Sequence, residues 1–126
     1  MYLVDTNVLV ELSKNSPAGR RAAGLLSAGS FRTTIINISE MFKWLEKQGG
    51  ESDLGAVLPF AKSIGLQEIT FDDAMLAGKL STKHRLYLVD AIMLAVSANH
   101  NIALVTMDAD FERVKGTGAR VVFIKK

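Results

Sequence analysis

The sequence predicts an α/β fold: a parallel twisted sheet of about five strands with helices on both faces, in three layers. Three observations predict it. Short apolar runs that read as strands alternate along the chain with segments of helical period. One of them, Ile102-Ala103-Leu104-Val105-Thr106, is almost continuously apolar, as strands buried on both faces are. Acids stand where strands give way to helices, at the edge where open parallel sheets bind ligands. At 126 residues the chain has about the length of one domain, and residues 1–126 are read as a single one.

The elements follow in order. Tyr2-Leu3-Val4 is the first strand, and Asp5 closes it. A helix from Thr6 to Lys14 carries Val8, Leu9 and Leu12 on one face and stops at Asn15-Ser16-Pro17. Ser16 caps a second helix, with Pro17 in its first turn, that runs to about Ser27. The β-rich run Phe31 to Ile36 is the second strand. Asn37 is expected to cap the third helix, with Glu40 at its third position and Ile38, Met41, Phe42 and Leu45 as its apolar stripe; Gln48-Gly49-Gly50 closes it. A weaker helix spans about Ser52 to Ser63, with Pro59 counting against its second half. Leu66 to Thr70 reads as the third strand, and Asp72 or Asp73 as the cap of the next helix. The basic connection Lys83-His84-Arg85 leads to an almost wholly apolar helix that starts near Leu88 or Asp90. After the strand Ile102–Thr106 come a short helix or turn from Asp108 to Val114, the loop Gly116-Thr117-Gly118 and the final strand Arg120 to Ile124.

Composition narrows the chemistry. There is no cysteine, which excludes disulfides, thiol nucleophiles and zinc–thiolate sites. No apolar run approaches the ~20 residues of a membrane span, and no signal peptide is visible, so a cytoplasmic protein is expected. Net charge is +2, from 15 basic and 13 acidic side chains. If four of those acids gather and bind cations, the remainder is distinctly basic, a rim suited to an anionic polymer. Arg20, Arg21, Lys43, Lys47, Lys83 and Arg85 are the candidates for that rim, with His84 beside them. For each of them taken singly, a mixed, solvated surface is the simpler explanation.

Right-handed crossovers place strand carboxyl ends and the starts of their helices along one edge. Asp5 follows the first strand, Glu40 opens the helix after the second, and Asp108 lies two residues past Thr106. Asp90 starts a helix running antiparallel to the strands, so it lies at the same edge. Asp5, Asp90 and Asp108 could each be a helix N-cap, and Asn37-x-x-Glu40 resembles a capping box. Together they crowd one edge with like charge, which a divalent cation relieves. An all-oxygen set without His or Cys points to Mg²⁺ or Mn²⁺.

Four segments resemble the motifs of PIN domains, in particular those of small VapC-type toxins of prokaryotic toxin–antitoxin modules. They are Val4-Asp5-Thr6-Asn7-Val8-Leu9, Ile38-Ser39-Glu40, Asp90-Ala91-Ile92-x-x-Ala95 and Leu104-Val105-Thr106-x-Asp108-x-Asp110-Phe111. The set covers the whole chain in order. It departs from the usual pattern in the apolar Tyr87-Leu88-Val89 before Asp90 and in having both Asp108 and Asp110 in the last motif. The Thr-x-Asp spacing favours Asp108, with Asp110 as a supporting group. The resemblance implies a PIN-like, Rossmann-like three-layer fold. It also implies a pocket of Asp5, Glu40, Asp90 and Asp108 holding one or two Mg²⁺ or Mn²⁺ ions. Thr6 or Asn7 would orient Asp5, and Thr106 would hydrogen-bond within the pocket. The implied activity is metal-dependent hydrolysis of RNA phosphodiester bonds by a homodimer with a cognate antitoxin protein, or the same chemistry in RNA maturation.

Other readings fare less well. A haloacid-dehalogenase-type phosphatase wants a second acid two residues after its nucleophile, where this chain has Asn7. A response-regulator receiver wants its phosphoacceptor at the end of the third strand, which Glu68-Ile69-Thr70 does not supply. A protein-binding module with a vestigial acidic edge differs from the nuclease in one cheap observation, Mn²⁺ binding. Trp44 suits a partner contact better than base stacking, and His100 suits the end of a helix.

Overall fold

The computed structural model describes residues 1–48 and 51–126. Its chain order is β1 (Tyr2–Val4), α1 (Thr6–Lys14), α2 (Pro17–Leu26), β2 (Phe31–Thr33), α3 (Ile35–Lys47), α4 (Glu51–Ser63), β3 (Gly65–Leu66), α5 (Phe71–His84), α6 (Leu88–His100), β4 (Ala103–Thr106), a 3₁₀ turn (Ala109–Arg113) and β5 (Val121–Phe123). The strands form one five-stranded sheet in the order β3-β2-β1-β4-β5, and every pairing is parallel.

This order follows from how the chain crosses. From β1 the chain steps outward to β2 and β3. It then returns across the sheet through α5 and α6 to pair β4 with the other side of β1. Right-handed crossovers in opposite directions put α1 to α4 on one face and α5 and α6 on the other. Strand alternation matches this. Val4 and Val105 lie in the cluster with Leu9, Ala22, Met41, Leu45 and Ala61, whereas Leu3 and Leu104 lie in the cluster with Ala77, Leu80, Met93, Leu94 and Phe111. The first face is closed by a tight α1–α2 contact, where a Cβ on Gly19 would stand 2.1 Å from the Glu11 carbonyl oxygen. Between β1 and β4 the strand order reverses, and in open parallel sheets the carboxyl edge at such a switch point is where ligands bind.

Local chemistry moves several predicted boundaries. Thr34, not Asn37, caps α3. Its hydroxyl accepts from the Asn37 N–H, and Asn37 at the third position reaches back to Thr34. Glu40 consequently lies in the second turn and takes no part in capping. Thr33-Thr34-Ile35-Ile36 reads as strand because it is β-branched, yet the strand ends at Thr33. The third strand is only Gly65–Leu66, and Thr70, not Asp72 or Asp73, caps α5. Pro59 does not break α4: the carbonyl it leaves without a partner belongs to Gly55, and both residues are exposed. The expected stop at Gly49 and Gly50 lies outside the described residues. No helix among the described residues is long and apolar enough to cross a membrane.

Candidate active site

The carboxyl edge is built first around Asp5. It is 6% exposed and ends β1 in extended conformation, so its side chain caps α1 by accepting from the Thr6 N–H at 2.9 Å. Its other oxygen accepts from the Thr106 hydroxyl at 2.8 Å and, at 3.3 Å, from the Asn7 amide. Thr106 lies at the end of β4, across the switch point, so β1 and β4 are tied together by the site itself. The Asn7 side-chain carbonyl accepts from the Met107 N–H at 3.0 Å, and the Asp108 N–H donates to the Thr106 hydroxyl oxygen at 3.1 Å. Asn7 and Thr106 thus position both Asp5 and the start of the Asp108 turn.

Glu40 reaches this edge from α3 and is partly buried. Its Oε1 accepts from the Thr6 hydroxyl at 2.5 Å. Thr6 therefore serves two acids, Asp5 through its backbone and Glu40 through its side chain. Asp90, at the third position of α6, lies in a turn with no side-chain cap; Asp108 caps the 3₁₀ turn by accepting from the Asp110 N–H at 2.9 Å.

Electrostatics show that the acids share one neighbourhood. Burial raises the Asp5 carboxyl above its usual range. The bonds from Thr106 and Thr6 oppose that rise, while the charges of Glu40 and Asp108 add to it. Asp90 is pushed up to about 6, first by burial and then by Asp5, Asp108, Glu40 and Asp110. Among the described residues no Lys, Arg or His forms an ion pair with Asp5, Glu40, Asp90 or Asp108; the only such pairs are Lys14–Glu11 and His100–Asp73. Nor, among those residues, do three of these side chains close into a finished metal cage. The donor set is oxygen only and carries excess negative charge, which fits a hard divalent cation and not zinc or copper.

The remaining candidates are placed as follows. Asp110 is exposed and contributes to the field at Asp90. Arg20 donates to the Asn15 carbonyl at 2.8 Å, and Arg21 to the Lys125 carbonyl at 2.6 Å, so both guanidinium groups are engaged by backbone. Lys43, Lys47 and Lys83 are exposed, and Arg85 is the left-handed residue that ends α5 at the carboxyl edge. His84 is partly buried, and Trp44 packs against the core beneath α1 to α4. Two polar clusters escape a reading of the sequence. One is Thr34 and Asn37 behind Thr6; the other is Asp73 with Asn99 and His100 at the opposite end of the sheet. The Thr70-x-x-Asp73 spacing is the one local signal for the second.

The fold is shared with several solved structures. A chain of a toxin–antitoxin complex from Klebsiella pneumoniae superposes with a TM-score of 0.77 at 25% identity, covering 97% of this chain and 96% of the other. A chain of VapBC2 from Rickettsia felis, solved with a DNA fragment from its promoter, gives 0.78 at 17% identity, with 97% of each chain covered. A chain of FitAcB from Neisseria gonorrhoeae gives 0.69 at 20% identity, covering 96% of each. No curated protein matches the sequence. The model of the PIN domain family, however, matches residues 2–117. With nearly the whole sequence matched and an acid-lined switch point in a five-stranded parallel sheet, the chain belongs to the PIN domain family.

Proposed function

We propose that this protein is a metal-dependent endoribonuclease that hydrolyses RNA phosphodiester bonds as the toxin of a toxin–antitoxin pair. One observation carries the chemistry: four acids from four distant segments feel one another's charge at the carboxyl edge, and among the described residues no basic side chain forms an ion pair with any of them. Asp5, Glu40, Asp90 and Asp108 would hold one or two Mg²⁺ or Mn²⁺ ions. A bound cation supplies charge neutralisation at the phosphate and activation of water. In hydrolysis the water oxygen bonds phosphorus, the bond to the leaving ribose oxygen breaks, and the water proton is passed on. That proton is released to solvent; the Asp90 carboxyl, raised by burial and then by Asp5, Asp108 and Glu40, is where a cation would relieve the most charge. Asp5 is fixed by three donors and Glu40 by one, so the acids are oriented before substrate arrives.

Exposed Lys43, Lys47, Lys83 and Arg85, with Arg20 and Arg21, would offer a weak basic rim to the RNA backbone. The likeness to a chain of a toxin–antitoxin complex supports a cognate antitoxin as partner; a homodimer as the assembly, one functional unit over residues 1–126 and a cytoplasmic site of action complete the proposal. The test is cleavage of mixed structured RNA by the purified protein with Mg²⁺ or Mn²⁺. The expected result is cleavage that stops with EDTA and in Asp90→Asn. Cleavage that survives both refutes the mechanism.

A further inference from the structure

We infer that Asn37 is a positioning residue for the acid cluster: it fixes the Glu40 carboxylate through the Thr6 hydroxyl. This rests on the metal-dependent reading above and assigns a role to a residue outside the four acids. Asn37 is fully buried at the third position of α3. Its Oδ1 accepts from the Thr34 N–H at 3.3 Å and the Thr34 hydroxyl at 2.6 Å. A flipped amide would turn its NH₂ against the Thr34 N–H, so the network settles the orientation. Nδ2 is thereby aimed at α1, where it donates to Thr6 Oγ1 at 2.9 Å. A hydroxyl has one proton. With Asn37 donating to its oxygen, Thr6 directs that proton to Glu40 Oε1, at 2.5 Å. The side-chain donors run in one direction, from the Thr34 hydroxyl through the Asn37 amide and the Thr6 hydroxyl to Glu40 Oε1.

The chain contains its own control. The α5 capping box has the same geometry, with Thr70 as cap and a fully buried residue at the third position, but there the residue is Asp73. An Asp caps as well as an Asn, since the cap needs only an acceptor. Asp73 spends its remaining acceptor capacity on Asn99 and His100. At the acid edge the equivalent position needs a donor, because an Asp would take the Thr6 proton from Glu40 and add another carboxylate. Capping alone does not distinguish the two residues; the bond to Thr6 does.

The experiment is calorimetric Mn²⁺ titration of the metal-free chain, with melting temperature recorded in the same buffer, for the parent, Thr6→Val, Asn37→Ala and the double variant. Each single change is expected to weaken Mn²⁺ binding about tenfold, as loss of a partner behind a metal ligand does. The double variant should be no weaker than the weaker single, because both break one series. Thr6→Ser, which keeps the hydroxyl, should bind within about twofold of the parent. Asn37→Asp keeps the cap acceptors and loses the donor, so kcat for RNA cleavage should fall about tenfold with KM nearly unchanged and the fold intact. Parental Mn²⁺ affinity in Asn37→Ala, losses that multiply in the double variant, or a parental kcat in Asn37→Asp would overturn the inference while the nuclease reading stands. A parent that binds no Mn²⁺ overturns both.

Discussion

Asp5 and Asp73 are both buried, and both sit in the first turn or cap of a helix, yet their surroundings differ in kind. Asp73 is 0% exposed and lies at the amino edge of the sheet. It accepts from the Thr70 N–H at 2.9 Å, the Asn99 amide at 2.8 Å and the His100 ring at 2.9 Å. Burial would raise its carboxyl, but the Thr70 N–H, Asn99 and His100 more than offset that and hold it below the usual range. Asp5 also has donors, but its charged neighbours are Glu40 and Asp108, and its carboxyl is raised. The amino-edge cluster is finished within the chain. At the carboxyl edge no basic side chain among the described residues pairs with an acid, and under the proposed function a cation would complete the cluster. A helix-cap role and a catalytic role are therefore not exclusive: Asp5 and Asp108 each cap a helical turn and still face the other acids.

The largest test of this contrast is on activity. Asp5→Asn or Asp90→Asn should lower RNA cleavage by more than about a hundredfold, beyond the loss for a merely supporting partner. In chelator, Asp90→Asn should not lower the melting temperature, because the charge it removes is unfavourable to the fold. Asp73→Ala should do the reverse. It leaves the Thr70 N–H, Asn99 and His100 without their acceptor, costing about 3 kcal/mol in denaturant unfolding, while kcat of the folded protein is kept. Equal stability losses at the two edges would remove the distinction.

The two carboxyls also predict opposite pH slopes. Asp90 has a folded-state value of about 6 against an ordinary 3.8, so the folded chain binds the proton more tightly than the unfolded one. Stability of the chelated protein should therefore fall as pH rises through that interval and then level off. Asp90→Asn should remove this fall. Asp73 is lowered, so its contribution is present above 3.8 and is lost as the pH drops below it. Asp73→Asn should remove that acid-side loss. Thermal unfolding across the pH range reads both. The smallest effect is expected at the basic rim. Lys83→Ala with Arg85→Ala should reduce the salt dependence of RNA binding by about 0.7 in slope for each phosphate no longer neutralised, without changing Mn²⁺ affinity.

What is legible in the sequence is what local pattern encodes. The helix Thr6–Lys14 is bounded as expected, because an apolar strand ends at a capping acid and Asn15 adopts the left-handed conformation that stops it. The continuous apolar run before Asp108 marks β4 as central, and it pairs on both sides. The α/β class and the parallel sheet follow from alternation alone. The start of α3 is harder to place, because the β-branched residues after Phe31 have strand character, while Thr34 and Asn37 are both good cap residues and the local pattern does not choose between them. The bonds from Asn37 to Thr6 and from His100 to Asp73 span 31 and 27 positions, and no periodicity carries such information. Strand order has no local signal either. It decides that Thr106 meets Asp5, 101 positions away.

Calorimetric titration of the metal-free protein with Mn²⁺, beside Asp90→Asn and Asp73→Asn, asks whether the carboxyl edge is completed by a cation. Saturable binding is expected for the parent and for Asp73→Asn, and loss of binding for Asp90→Asn. Binding that is absent from the parent, or unchanged in Asp90→Asn, would contradict the cation-binding edge and return the four acids to the role of helix caps and surface charge.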